Sequence, residues 1–240
     1  MKTATEAGVW GERFGLAAGV SDRSNGSLGL SLPEPAATVM ARFRAFRDSL
    51  RPGFSALQIA HQVHGTTIAR HAGVAEGFHV RDDTDGHLTA QRGLLVAVTI
   101  ADCVPVYLAR DDGSAIALLH CGWRGTAAGM LEAGIAALSG SGHGLPVCPS
   151  ARLSVFLGVS ICGDCYEVGP EVVQAVEGRP VTGKTRFDLR GALLRRAEAA
   201  GVKEISVSSL CTAHHGERFF SHRGSSGDGG RQIAWLGIPS

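Results

Sequence analysis

The chain reads as one α/β domain, and three observations predict it. Short apolar runs, too short for helices, alternate with stretches whose apolar residues recur at helical spacing. Its 240 residues, 44% of them hydrophobic, suffice for one large buried core. No internal repeat or low-complexity tract divides the chain.

Residues 35–50 set Val39, Met40, Phe43, Phe46 and Leu50 at helical spacing behind an opening proline, which predicts an amphipathic helix. Ala56–Ala60 and residues 66–69 are strand-like runs on either side of His64. Leu94–Ile100 and residues 104–109 are continuous apolar runs, read as buried strands flanking Asp102 and Cys103. A turn at 111–113 leads into a third buried strand at 115–120. Residues 126–138 predict a helix. The Gly/Ser/Pro-rich stretch 139–150 is the candidate internal boundary of an otherwise single domain, 1–240. Beyond it, Leu153–Leu157 predicts a strand and Pro170–Glu177 a short helix. Asp188 caps another helix with Leu189, Ala192, Leu193 and Ala197 on its inner face and Gly201 at its end. Residues 205–208 and 232–238 are late strands, with 224–230 a flexible loop before the last.

Composition excludes several function classes. Lysine and arginine number 23 against 22 acidic residues, and no basic stripe marks a nucleic-acid partner. The amino terminus carries Glu6 and lacks an apolar core, so it is not a secretory signal. No run of about 18 apolar residues offers a membrane span. The expected setting is the cytoplasm. Six cysteines in such a chain do not imply a disulfide framework. Cys162-Gly-Asp-Cys165 is the one C-x-x-C, and no second ligand pair is read after it to complete a zinc knuckle. A redox role would need it at a strand-to-helix junction, which Pro170 leaves arguable; a turn without redox function is the other reading.

Three separated segments each present one soft metal ligand beside small residues: Gln62-Val-His64-Gly65, Ala101-Asp-Cys103-Val-Pro105 and Leu119-His120-Cys-Gly-Trp123-Arg-Gly125. Two histidines and one cysteine make a three-ligand set for Zn²⁺ with a fourth position left for water or substrate, the pattern of a catalytic site. His61 and His64 are three apart, so on a regular strand they face opposite ways, and His64, at a strand end, is the one placed to reach the site. The segment after His120 runs from strand to helix, so its free N–H groups and helix dipole face the same rim. There Arg124 is placed to clamp phosphate or carboxylate. Trp123 is placed either to stack on a flat ring or to wedge the turn. A G-x-S-x-G elbow, a G-x-G-x-x-G, a Walker A sequence and the usual deaminase signature are absent. A cysteine hydrolase with Cys103 as nucleophile and His120 or His64 as base stays open.

Ordered motifs across nearly the whole chain resemble the laccase-domain family, also called polyphenol oxidase or peptidoglycan-editing factor and described as zinc-dependent purine nucleoside phosphorylases. They are Gln62-Val-His-Gly65, Asp85-Gly-His-Leu-Thr89, Thr99-Ile-Ala-Asp-Cys-Val-Pro-Val106, His120-Cys-Gly-Trp-Arg-Gly125, Tyr166-Glu-Val-Gly169, Cys211-Thr212, Phe220-Ser-His-Arg223 and Gly230-Arg-Gln232. The resemblance implies a layered α/β/β/α sandwich with mixed sheets, usually monomeric, and one metal on His64, Cys103 and His120. It implies phosphorolysis of adenosine, inosine, guanosine and 5′-methylthioadenosine, and deamination of adenosine. Copper-dependent phenol oxidation is also attributed to the family, and Cu²⁺ is a conceivable replacement for zinc; three such ligands are few for a multicopper oxidase. Metal-free amidase chemistry on a peptidoglycan precursor is the rival reading. Asp102 is a candidate orienter of the metal ligands, or a cap in its turn. Glu167 and Arg223 are candidate substrate-wall residues.

The chain departs from the family pattern in places. Where members carry an arginine in Thr-Arg-x-Gly-Gly-Val-Ser, this chain has Leu16-Ala-Ala-Gly-Val-Ser21, with Arg13 or Arg23 as nearby substitutes for holding phosphate. The family's Gly-Pro is Gly158-Val159, its Cys-Cys is Asp164-Cys165, and its Ser-Tyr-Arg is Ser221-His-Arg223.

Overall fold

The structure, a computed structural model, describes residues 5–30, 34–50, 52–140, 147–224 and 229–240. In chain order the elements open with α1 (Glu6–Glu12), β1 (Ala17–Val20), α2 (Ala36–Ser49), β2 (Ala56–Ala60), β3 (Ile68–His71), β4 (Gly77–Arg81) and β5 (Gly86–Thr89). The centre follows with β6 (Leu94–Ile100), β7 (Val104–Arg110), β8 (Ile116–Cys121), α3 (Trp123–Ala127) and α4 (Met130–Ser139). The last third holds β9 (Leu153–Leu157), β10 (Glu167–Val168), α5 (Pro170–Glu177), β11 (Thr185–Arg186), α6 (Leu189–Ala199), β12 (Glu204–Val207) and β13 (Gln232–Gly237).

Two mixed sheets form the centre, one ordered β1-β13-β6-β2-β4 and the other β12-β9-β7-β8-β5-β3. The period-two alternation of each strand assigns its side chains to layers. Along β6, Val96, Val98 and Ile100 pack between the sheets, whereas Leu95 and Ala97 face outward. Along β8, Ile116 and Leu118 point inward, and Ala117, Leu119 and Cys121 outward. Both faces of these strands are buried, which explains their unbroken apolar runs. Outside the first sheet, Val39, Phe43 and Phe46 of α2 cover Leu57, Ile59, Leu95 and Trp235. Outside the second, α4, α5 and α6 cover Val106, Leu108, Leu119, Val155 and Leu157. The result is an α/β/β/α sandwich in one domain. Among the described residues, no helix is long and apolar enough to cross a membrane.

Pro35 opens α2, Pro170 is the first residue of α5, and Asp188 accepts a hydrogen bond from the Gly191 N–H at 3.0 Å to cap α6. The single helix predicted at 126–138 is instead two, because Gly129 adopts φ +88 and ends the first after five residues. The strands β4 and β5 were not predicted: each is short and interrupted by polar residues, and pairing with neighbours rather than local pattern makes them strands. Within the stretch 139–150, residues 141–146 lie outside the described residues, as do 225–228 of the loop at 224–230. Strand β9 beyond that stretch pairs antiparallel with β7 before it, so one sheet runs through both sides.

The topology sends many connections to one edge. Strands β2 and β6 run parallel, so both finish toward the same edge, β6 two residues beyond Ala60. The connections that follow, 61–67 and 101–103, both cross from the first sheet to the second. Cys121 of β8 lies opposite Val104, and Leu157 of β9 opposite Val106, so these strands finish beside the start of β7. Strand β12 runs parallel to β9 and ends there too, while Gln232 of β13 begins opposite Ile100.

Candidate active site

At this edge His64, Cys103 and His120 meet. Their ligand atoms lie within 4.8 Å of one another. The Cys103 Sγ is 4.0 Å from His64 Nε2, and the two imidazoles stand edge to face with centroids 4.9 Å apart. His120 shares the inward parity of Ile116 and Leu118 and is buried at the end of its strand. Cys103 lies in the β6–β7 crossover and His64 in the β2–β3 crossover. Gly122 leaves room for the cluster, since a Cβ there would come within 3.0 Å of both Cys103 Sγ and the His64 ring.

Asp85 organises the site. Fully buried just before β5, it takes His120 Nδ1 at 2.9 Å and leaves Nε2 as that ring's free ligand atom. The same carboxylate accepts backbone N–H groups of Val63, His64 and Gly65 at 3.1, 2.9 and 2.7 Å. These bonds hold the tight turn in which His64 adopts φ +61, a conformation uncommon outside glycine. Burial opposes the charge on Asp85, but His120 and the N–H groups of Gly65 and Val63 outweigh it and hold its pKa below the usual value. Sequence reasoning gave Asp85 no role. A carboxylate 35 residues from its histidine carries no local signature.

Burial would likewise push the Cys103 thiol up, yet the His120 and His64 rings draw it from 9.0 to about 6. His120 is raised to about 9, burial being outweighed by Cys103 and Asp85. A divalent cation would replace the protons of this pair.

Asp102 bonds through its carboxylate to none of His64, Cys103 and His120. Its backbone is in the left-handed region, φ +87, and its carboxylate accepts from Thr212 Oγ1 at 2.6 Å, Ser221 Oγ at 2.7 Å and the Arg223 N–H at 2.7 Å. It ties the Cys103 crossover to the late segments of the chain. Gln62 ties the other crossover to β6, accepting from the Thr99 N–H at 2.7 Å and donating to its carbonyl at 2.9 Å.

A cavity of about 510 Å³ opens in front of the cluster. Trp123, Arg124, Tyr166, Arg223 and Arg231 line it together with His64, Cys103 and His120. Arg124 lies over the Trp123 ring at 4.4 Å, and Arg223 over Tyr166 at 5.3 Å. Burial, followed by the nearby Cys103, pushes the Tyr166 hydroxyl up to about 12. His61 reaches the cavity rim, but not the ligand cluster.

Three expectations need correction. Glu167 is exposed, and its side chain turns to Lys184 at 3.6 Å, because along this segment Tyr166 faces in and its neighbour faces out; only the Glu167 carbonyl serves the wall, accepting from Arg223 at 2.8 Å. Arg13 pairs with Glu204, and Arg23 donates to the Gly216 and Phe219 carbonyls, so neither lines the cavity as a substitute clamp. Helix α3, five residues long, has little dipole to offer an anion, which leaves that task to the arginine side chains.

Residues 12–239 of this chain match the family described as multi-copper polyphenol oxidoreductase laccase. A purine nucleoside phosphorylase of Deinococcus radiodurans is 32% identical over 214 residues, covering 86% of this chain and 79% of that protein. The adenosine deaminase RL5, from an unknown prokaryotic organism, is 34% identical over 155 residues, 59% of this chain and 57% of that protein. The crystal structure of YlmD from Geobacillus stearothermophilus superposes with a TM-score of 0.84 at 28% identity, covering 94% of this chain and 93% of that one. With its α/β/β/α layers and a match spanning nearly its full length, the chain belongs to the multi-copper polyphenol oxidoreductase laccase family.

Proposed function

We propose that this cavity processes purine nucleosides with a zinc ion held by His64, Cys103 and His120. The reactions are phosphorolysis of adenosine, inosine, guanosine and 5′-methylthioadenosine, and deamination of adenosine. The carrying observation is one cavity that combines a soft three-ligand cluster with three arginines and two aromatic faces. The names of the phosphorylase and deaminase relatives support it.

The donor set fits zinc: two imidazoles and a thiol converge, one imidazole is fixed by a carboxylate, and open space lies in front of them. When bound, zinc supplies a Lewis acid and acidifies adjoining water. The remaining chemistry is positioning by the chain. Trp123 and Tyr166 offer faces to the purine, while Arg124, Arg223 and Arg231 offer charge to phosphate. In phosphorolysis a phosphate oxygen bonds to C1′ as the C1′–N9 bond breaks, and the purine leaves with the electron pair and takes up a proton. Holding phosphate in line with C1′ is the contribution of the arginines. In deamination the oxygen of water bonds to C6 and the amino nitrogen leaves as ammonia.

Product analysis tests the proposal: adenosine with and without phosphate, on zinc-loaded and on chelator-stripped protein. Adenine and ribose 1-phosphate with phosphate, inosine without it, and neither after stripping are expected. No turnover of any of the four nucleosides by zinc-loaded protein would overturn it. One observation favours a second reading: Asp85, His120 and Cys103 form an orienter–base–nucleophile chain. A metal-free amidase predicts activity that survives chelation and is lost on alkylation of Cys103.

A further inference from the structure

The C-x-x-C at 162–165 lies between β9 and β10, in a turn closed by the Cys165 N–H on the Cys162 carbonyl at 3.2 Å. Helix α5 begins only at Pro170, so the pair does not open a helix as a thioredoxin-like motif would. What it meets instead is the segment after β12, where Cys211-Thr-Ala-His214 repeats the two-residue gap. That second half, ending in histidine and 49 residues on from the first, is the pair missed in the sequence.

Four ligand atoms, from Cys162, Cys165, Cys211 and His214, lie within 4.8 Å of one another. The His214 ring sits against both cysteines of the turn, Nε2 at 3.1 Å from Cys165 Sγ and Nδ1 at 3.7 Å from Cys162 Sγ. Tetrahedral zinc with Zn–S near 2.3 Å needs its ligand atoms roughly 3.5–3.8 Å apart, so the 3.1 Å Cys165–His214 pair must open slightly, and any pair near the 4.8 Å limit must close by about an ångström. The Cys162 N–H donates to Cys211 Sγ at 3.3 Å, and the backbone N–H groups of Ala213 and His214 donate to the same sulfur. Backbone donors converging on a buried sulfur suit a metal thiolate.

The geometry points to a second metal site: Cys162, Cys165, Cys211 and His214 bind one Zn²⁺ in a closed, four-ligand, structural centre. It clasps two segments that the backbone joins through the Ser160–Cys211 bridge, where the Thr212 N–H donates to the Ser160 carbonyl at 3.0 Å. Both segments support the active-site crossover. The Ile161 N–H donates to the Asp102 carbonyl at 3.1 Å, and Thr212 Oγ1 donates to its carboxylate at 2.6 Å. Tyr166, one residue beyond the turn, walls the cavity. The zinc therefore sets the shape of the wall without touching substrate.

Elemental analysis of the full chain, purified with zinc and freed of excess metal, tests this. We expect about two zinc ions per chain in the wild type and about one in Cys103→Ala. Retention in Cys103→Ala reports the second site whether or not the first binds zinc. In that background, Co²⁺ in place of zinc gives the strong visible absorption of a tetrahedral thiolate-rich site, and His214→Ala, at an exposed position, abolishes it. Cobalt titration of folded Cys103→Ala protein suffices if further variants fail to fold. Loss of all zinc in Cys103→Ala, or a Cys162–Cys165 disulfide in protein prepared under air, would overturn the assignment.

Discussion

The two cysteine–histidine clusters of this chain are built from the same kinds of side chain in opposite arrangements. The first takes one ligand from each of three places on a sheet edge, and its fourth side opens on a cavity of about 510 Å³. The second takes two ligands from each of two turns, and they close on themselves. The open cluster has an outer carboxylate, Asp85, that fixes a ring and a turn at once. The closed one relies on backbone N–H groups. Ligand count and what surrounds it, rather than ligand type, separate a site for chemistry from one for structure.

The largest expected effect breaks the open cluster alone. Cys103→Ala should remove zinc from that site and cut nucleoside turnover more than about hundredfold, beyond what losing an outer partner costs. Secondary structure by circular dichroism should stay close to wild type, and a variant retaining wild-type turnover would detach the cluster from catalysis.

Asp85→Asn sharpens the comparison, because only the open cluster depends on a carboxylate. Zinc affinity or turnover should fall about 10–100-fold, measured by competition with a chelating dye and by steady-state kinetics. The closed site should keep its metal.

Arg124→Ala separates the two reactions proposed for the open cavity. Losing this clamp should weaken phosphate by roughly 1.5–3 kcal/mol, about ten- to hundredfold in the phosphate KM. Deamination, which uses water, should change much less. Equal losses in both would move Arg124 from phosphate binding to general support of the cavity.

A separate effect concerns histidines that belong to neither cluster. His71 and His87 are buried, with His71 Nε2 2.9 Å from His87 Nδ1, and burial lowers them to about 4 and about 3 respectively. The unfolded chain takes up these protons near pH 6.5, whereas the folded chain resists them, so stability is full above 6.5 and declines as pH falls toward 4. Metal-stripped protein should thus lose several kcal/mol across that window, about 3 kcal/mol for each histidine, in urea titrations. His71→Gln should flatten the slope, and an unchanged slope would place the acid sensitivity elsewhere.

The smallest effect is expected at His61. This ring reaches the cavity rim but stands outside the ligand cluster, so His61→Ala should hold zinc and turnover within about twofold of wild type. A loss matching that of His64→Ala would mean that the turn after β2 presents both rings.

Local chemistry made much of this protein legible. The unbroken apolar runs of β6, β7 and β8, the prolines opening α2 and α5, and the Asp188 cap act within a few residues, and the corresponding elements stand where they were expected. His64, Cys103 and His120 could be picked out because each sits beside small residues at a strand end, and the structure brings the three together. Tyr166 rather than Glu167 lines the cavity, a choice with no readable signal in the sequence because β10, two residues long, shows no alternation.

What the sequence by itself determined is therefore the α/β class, the burial of the central strands and the soft ligands at their ends, since periodicity, caps and turns are short-range properties. Tertiary structure decided the pairings across long separations: Asp85 with His120, Asp102 with Thr212 and Ser221, and Cys162 and Cys165 with Cys211 and His214. Those pairings depend on strand order and direction. Once β2 lies parallel to β6, and β9 antiparallel to β7, the crossovers and the late turns must emerge at the same edge. Strand order is settled by burying two sheets against each other and their outer faces under helices, a requirement of the whole chain that no single segment carries.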